Sequence, residues 1–132
     1  MKLVLDTNVY CDYAEGIPNV VDYMAVHGED IFLPSIVIGE LTYGLMKGSR
    51  QKFNEKKLQE VIKKLQVKII NVNQNVSRKY ALIYLSLVKK GNKIPINDVW
   101  IAACCMEVGG TLLTRDCHFQ NVEQIETVVL DT

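Results

Sequence analysis

Short apolar runs alternate along this chain with longer stretches of helical periodicity. Residues 2–5, KLVL, are too few for a helix and stop at Asp6, with Thr7 and Asn8 as helix-entry residues. The helix they open carries Asp12 and Glu15 as exposed charges. In residues 17–27, Ile17, Val20, Val21 and Met24 recur at three- and four-residue intervals, with Pro18 suited to a first turn and Gly28 to a stop, so a second helix is expected. A strand-like Ile31–Leu33 breaks at Pro34, and Ser35 is positioned to cap a helix running through Glu40 and Leu41 to about Met46. From Gln51 to Leu65, the residues Phe53, Leu58, Val61, Ile62 and Leu65 mark one helical stripe and leave most lysines on the other side. Residues 67–72, VKIINV, read as a third strand. Asn73 or Asn75 caps a long helix in which Val76, Tyr80, Ile83, Tyr84 and Leu87 repeat until Gly91. After the loop GNKIPIND, Asn97 is positioned to cap DVWIAACCMEV, which ends at Gly109 and Gly110 before the short strand TLLT; a final run, ETVVL, supplies a fifth strand.

Strands separated by helices imply parallel pairing through right-handed crossovers. The expected fold class is therefore α/β, with a central parallel sheet of four to five strands and helices on both faces. No repeat, low-complexity tract or linker interrupts the 132 residues, so a single domain over 1–132 is expected, and 48% hydrophobic content lets it bury one core without disulfide or metal staples. The four residues between Met1 and Asp6 cannot supply a secretory signal's apolar run, and no later stretch approaches the roughly 20 apolar residues that span a bilayer. A soluble, cytoplasmic protein is the expectation. The cysteines at 11, 104, 105 and 117 have neither zinc-ribbon spacing nor the density of a disulfide scaffold, and read as reduced.

Charge changes the picture more than composition does. The formal net charge is zero, yet Lys47, Arg50, Lys52, Lys56, Lys57, Lys63, Lys64 and Lys68 face only Glu55 and Glu60 between positions 47 and 68. The rest of the chain must carry the balancing acids. A cationic arm for phosphate backbones beside an anionic centre for metal would produce that asymmetry, and so would a simple solvated helix face.

The acids stand where the elements end. In an open parallel sheet, ligands gather outside the carboxyl ends of the strands, where strand order reverses. Asp6 ends the first strand, Asp116 follows TLLT by one residue, and Glu40 and Asp98 occupy early turns of helices starting near that edge. Converging carboxylates repel unless a cation joins them, and oxygen ligands completed by water suit Mg²⁺ or Mn²⁺; zinc would normally recruit His or Cys, which this arrangement does not clearly provide. Thr7, Asn8 and Thr114 offer short polar side chains that can orient carboxylates or cap helices. His118 and Arg115 lie close enough in sequence to contact a phosphate; His118 can equally brace the loop, and Arg115 can equally pair with an acid. Asp22 and Asp131 read as exposed charges.

These residues resemble the PIN-domain nucleases, and among them the VapC-type toxins of toxin-antitoxin pairs. The resemblance runs over nearly the whole chain through LVLDTN with Asp6, SIVIGELTYG with Glu40, IPINDVWIAA with Asp98 and LLTRDCHF with Asp116, in family order. It implies a PIN-like fold, Mg²⁺ or Mn²⁺ held by those four acids as catalytic residues, and endonucleolytic cleavage of RNA such as tRNA or rRNA. It also implies a homodimer and a cognate VapB-like antitoxin that blocks the pocket. RNA contacts would fall to Lys47, Arg50, Lys52, Lys56, Lys57, Arg115 and His118. The alternatives are a housekeeping RNA-processing nuclease and a catalytically silent PIN-like module that binds RNA or protein. An aspartyl phosphotransferase of the haloacid dehalogenase type is disfavoured, because Asn8 stands where that family carries its second Asp.

Overall fold

In β1 (Lys2–Leu5) the residues Leu3, Val4 and Leu5 are buried in succession, and β4 (Thr111–Thr114) is buried at all four positions. Consecutive burial, rather than alternation, is what a strand shows when both faces of its sheet are covered. The computed structural model describes residues 1–131, and in it these two strands form the centre of a five-stranded parallel sheet of order β3-β2-β1-β4-β5. The others are β2 (Asp30–Pro34), β3 (Lys68–Ile70) and β5 (Glu126–Val129), with β3 and β5 as the more exposed edges. Six helices cross between strands: α1 (Thr7–Glu15), α2 (Pro18–His27), α3 (Ser35–Lys47), α4 (Gln51–Lys64), α5 (Gln74–Lys90) and α6 (Ile96–Val108).

Strand order reverses between β1 and β4, which are paired with Leu3 against Thr111 and Leu5 against Leu113. A cleft therefore opens at their carboxyl ends. The pairing is tight because the preceding turn carries no side chain: a Cβ on Gly110 would lie 2.9 Å from Val4 Cγ2 and 3.1 Å from the Lys2 carbonyl oxygen. Gly109, at φ 63°, supplies the left-handed stop of α6. Around the sheet, Leu3, Val4, Leu5, Leu33, Ile101, Leu112, Leu113 and Phe119 are essentially inaccessible to solvent.

The expected elements form, with local corrections. Ser35 and Asn97 do not cap their helices. Pro34 and Pro95 hold the cap positions with φ of −60° and −54° and an extended ψ, so α3 begins at Ser35 and α6 at Ile96, one and two residues earlier than expected, and neither has a side-chain cap. A proline ring fixes φ near the value needed to enter a helix, so the chain turns there without a hydroxyl or amide acceptor. Pro34 itself remains within β2. Asn73 does cap α5, its Oδ1 accepting from Val76 N at 3.0 Å. In α4 the core stripe is Leu58 and Val61; Phe53 is exposed instead, beneath the Arg50 guanidinium at 4.3 Å. Val20 and Met24 of α2 are core, as is the Cys104–Cys105 pair, whose thiols burial pushes up to about 11 and about 12. All four cysteines are free. No helix among the described residues is long and apolar enough to cross a membrane.

Candidate active site

β1 delivers Asp6 directly into the cleft. Its backbone N–H still donates to the Leu113 carbonyl (3.0 Å), continuing the sheet, while its side chain already caps α1 by accepting from Thr7 N at 2.8 Å. The cap expected of Thr7 or Asn8 thus belongs to Asp6, and the Thr7 hydroxyl is released to donate to Glu40 Oε1 at 2.7 Å. Asn8 is exposed and makes no hydrogen bond to the acids. On the other side, the fully buried Thr114 donates from Oγ1 to Asp6 Oδ2 (2.7 Å) and accepts from Asp116 N (3.0 Å). Asp6 therefore accepts from the Thr7 N–H and the Thr114 hydroxyl, and the same two threonines bond Glu40 and the Asp116 N–H. Charge-assisted bonds of this kind are short and fix both partners.

The fourth acid comes from α6. Asp98 Oδ2 is 2.8 Å from His118 Nε2, and the other ring nitrogen of His118 lies 3.7 Å from Asp116 Oδ1. His118 belongs to a 3₁₀ turn at Cys117–Asn121 that follows β4. The three residues Asp98, Asp116 and His118 offer ligand atoms all within 4.8 Å of one another.

Electrostatics tie the four carboxylates into one pocket. Burial raises the pKa of Asp6, which is only 4% exposed, and the charges of Asp116 and Glu40 push it the same way; the bonds from Thr114 and Thr7 pull it back. Burial also raises Asp98, with Asp6 and Glu40 adding to the rise and His118 opposing it. Each shift has the same cause: negative charge gathered where water is scarce. Among the described residues, His118 is the sole basic side chain in ion-pair reach of these four acids. Oxygen donors in excess, uncompensated by the chain's own cations, fit a hard divalent ion such as Mg²⁺ or Mn²⁺.

Two charged residues behave differently from their sequence reading. Asp12 is buried, not an exposed charge, and Arg115 Nε approaches its Oδ2 to 2.7 Å. The contact is close but poorly aligned for a directed hydrogen bond, and Asp12 Oδ2 has no other partner. Arg115 is thus engaged by an acid rather than free for a phosphate. Asp12 was discernible as a charge three residues from the core residue Val9, on the inward face of α1. The basic residues Lys47, Arg50, Lys52, Lys56, Lys57, Lys63, Lys64 and Lys68 are all exposed, and among the described residues only Lys68 of these forms an ion pair, with Asp30 at 3.2 Å. Glu15, Asp22 and Asp131 are exposed as expected.

The family model for the PIN domain matches residues 3–125, which include all four acids. The chain belongs to the PIN domain family. Over 99% of its length it is 29% identical to Ribonuclease VapC2 of Rickettsia felis, covering 97% of that protein. A similar solved fold, at TM-score 0.88 and 25% identity over 99% of this chain and 100% of the other, occurs in the crystal structure of VapBC2 from Rickettsia felis bound to a DNA fragment from their promoter. The FitAcB structure from Neisseria gonorrhoeae is similar at TM-score 0.79 and 26% identity, covering 95% of each chain. This PIN domain thus carries its acid pocket on the architecture those structures share.

Proposed function

We propose that this PIN domain is a metal-dependent endoribonuclease of the VapC type, with Asp6, Glu40, Asp98 and Asp116 as its catalytic, metal-holding residues. The observation that carries the reading is the pair of hydroxyl bonds, Thr114 to Asp6 and Thr7 to Glu40, at the end of the two central strands. They orient carboxylates on the strand-order reversal of a PIN fold instead of neutralising them. A bound Mg²⁺ or Mn²⁺ would lower the pKa of a water and stabilise charge on the scissile phosphate. The protein's share is placement. Asp6 and Asp116 are locked at the ends of β1 and β4, Glu40 is turned inward by Thr7, and Asp98 is steered by His118. Thr114, which bonds Asp6, and Phe119, which packs against His118, are both wholly buried.

The partners follow from the relatives. An RNA substrate is expected, with the exposed lysines of α4 and the α3–α4 turn guiding its backbone. A VapB-like antitoxin that closes the pocket is expected as the protein partner, and a homodimer as the assembly, in the cytoplasm. Tyr43 and Met46 on α3 and Phe53 on α4 are exposed apolar side chains of the kind that partners cover.

The test is cleavage of total cellular RNA by the purified protein. Discrete products with Mg²⁺ or Mn²⁺, and none in EDTA or with Asp6→Asn, are expected. Equal cleavage by wild type and Asp6→Asn, or cleavage that survives EDTA, would overturn the reading.

A further inference from the structure

We infer that His118 is itself a metal ligand, giving the pocket a mixed oxygen–nitrogen donor set that favours Mn²⁺, Co²⁺ or Zn²⁺ over Mg²⁺. The inference rests on the reading of Asp6, Glu40, Asp98 and Asp116 as a metal pocket and adds a donor that the sequence alone does not place there.

Three observations support it. The ring is held in place, since His118 packs against Phe119 with ring centroids 4.9 Å apart, and Phe119 is wholly buried. Both ring nitrogens face carboxylates of the pocket, Nε2 towards Asp98 at 2.8 Å and Nδ1 towards Asp116 at 3.7 Å. The spacing also suits a shared ion: adjacent donors of an octahedron with bonds of about 2.1 Å lie about 3.0 Å apart. The contact to Asp98 is already at that edge length, and the group spans no more than 4.8 Å.

Ligand chemistry then sets the metal preference. Mg²⁺ takes oxygen and leaves imidazole weakly held, whereas affinity for a nitrogen-bearing site rises along the first-row divalent ions. Nε2 of His118 would take the ion beside Asp98 Oδ2, while Nδ1 faces the Asp116 carboxylate at 3.7 Å.

Pulsed electron paramagnetic resonance of the untagged protein loaded with Mn²⁺ reads this directly. The chain has only two histidines, and the other, His27, is exposed on α2. Wild type is expected to show modulation from a directly bound nitrogen, and His118→Gln to lose it. In calorimetry His118→Gln should weaken Mn²⁺ binding about tenfold or more, and Mg²⁺ binding by less than about threefold. Mn²⁺ bound without nitrogen modulation, or modulation that survives His118→Gln, overturns the inference. So does unchanged Mn²⁺ affinity in His118→Gln with a raised KM for RNA, which would make His118 a phosphate contact. Asp6→Asn is the control: if it leaves Mn²⁺ binding intact, the pocket reading itself fails, and that outcome is distinct from loss of the nitrogen signal alone.

Discussion

Asp6 serves three purposes at once: it continues the sheet, caps α1 and faces the other acids. The last of these destabilises the metal-free protein, because its raised pKa means that the folded state prefers the proton the unfolded chain readily gives up. The linked stability is present at low pH and is lost as pH rises through the folded-state pKa. Asp6→Asn keeps an acceptor for Thr7 N and removes the charge, so at pH 7.5 it should stabilise the metal-free protein by about 1 kcal/mol, a few degrees in Tm. Thermal unfolding should show that gain shrinking as pH falls and the wild-type carboxyl takes up its proton. Metal should reverse the ranking, stabilising wild type by about 2.7 kcal/mol at a hundred times Kd and Asp6→Asn much less. At this scale the sequence announces the four acids, because each ends a strand or opens a helix. It leaves His118 open and reads Asp12 as exposed, because their roles depend on which distant side chain arrives beside them.

Elements set the precision of the site. The Arg115–Asp12 contact ties α1 to the turn that bears Asp116, and its two ends are unequal: the Arg115 side chain is 37% exposed and that of Asp12 10%. Arg115→Gln strands a buried carboxylate, whereas Asp12→Asn frees a cation that reaches water. Urea unfolding should therefore show Arg115→Gln costing about 2 kcal/mol, Asp12→Asn less than about 1, and the double variant no more than Arg115→Gln. Additive losses would mean the two do not act as a pair. Where β4 meets β1, Gly110→Ala should cost about 1–3 kcal/mol, since the added methyl meets the Lys2 carbonyl as well as the movable Val4 side chain. Helix existence and order are legible from periodicity, but the starts of α3 and α6 are not. Ser35 and Asn97 are good caps in isolation, and the prolines before them take that position by backbone geometry.

For the whole molecule, the parallel order β3-β2-β1-β4-β5 converts sequence positions 6 and 116 into neighbours across the strand-order reversal. That convergence is legible from alternating strands and helices, because parallel crossovers leave few other arrangements. The burial of Val20 and Met24 in the monomer core is not, because an apolar helix face looks the same whether it meets its own sheet or a second chain. The basic arm is exposed and almost free of ion pairs, so RNA binding through it should weaken steeply with salt, and replacing Lys52, Lys56 and Lys57 with Gln should flatten the slope of log affinity against log salt by up to about 2. Filter binding from 50 to 200 mM salt would reveal it; an unchanged slope removes the arm from RNA contact. Whether four acids from four elements form one metal site is decided by calorimetric titration of Mn²⁺. Asp6→Asn, Glu40→Gln, Asp98→Asn and Asp116→Asn should each weaken binding about tenfold or more, while Asp22→Asn on the exposed face of α2 should bind as wild type. Wild-type affinity in the four pocket variants would contradict the shared site.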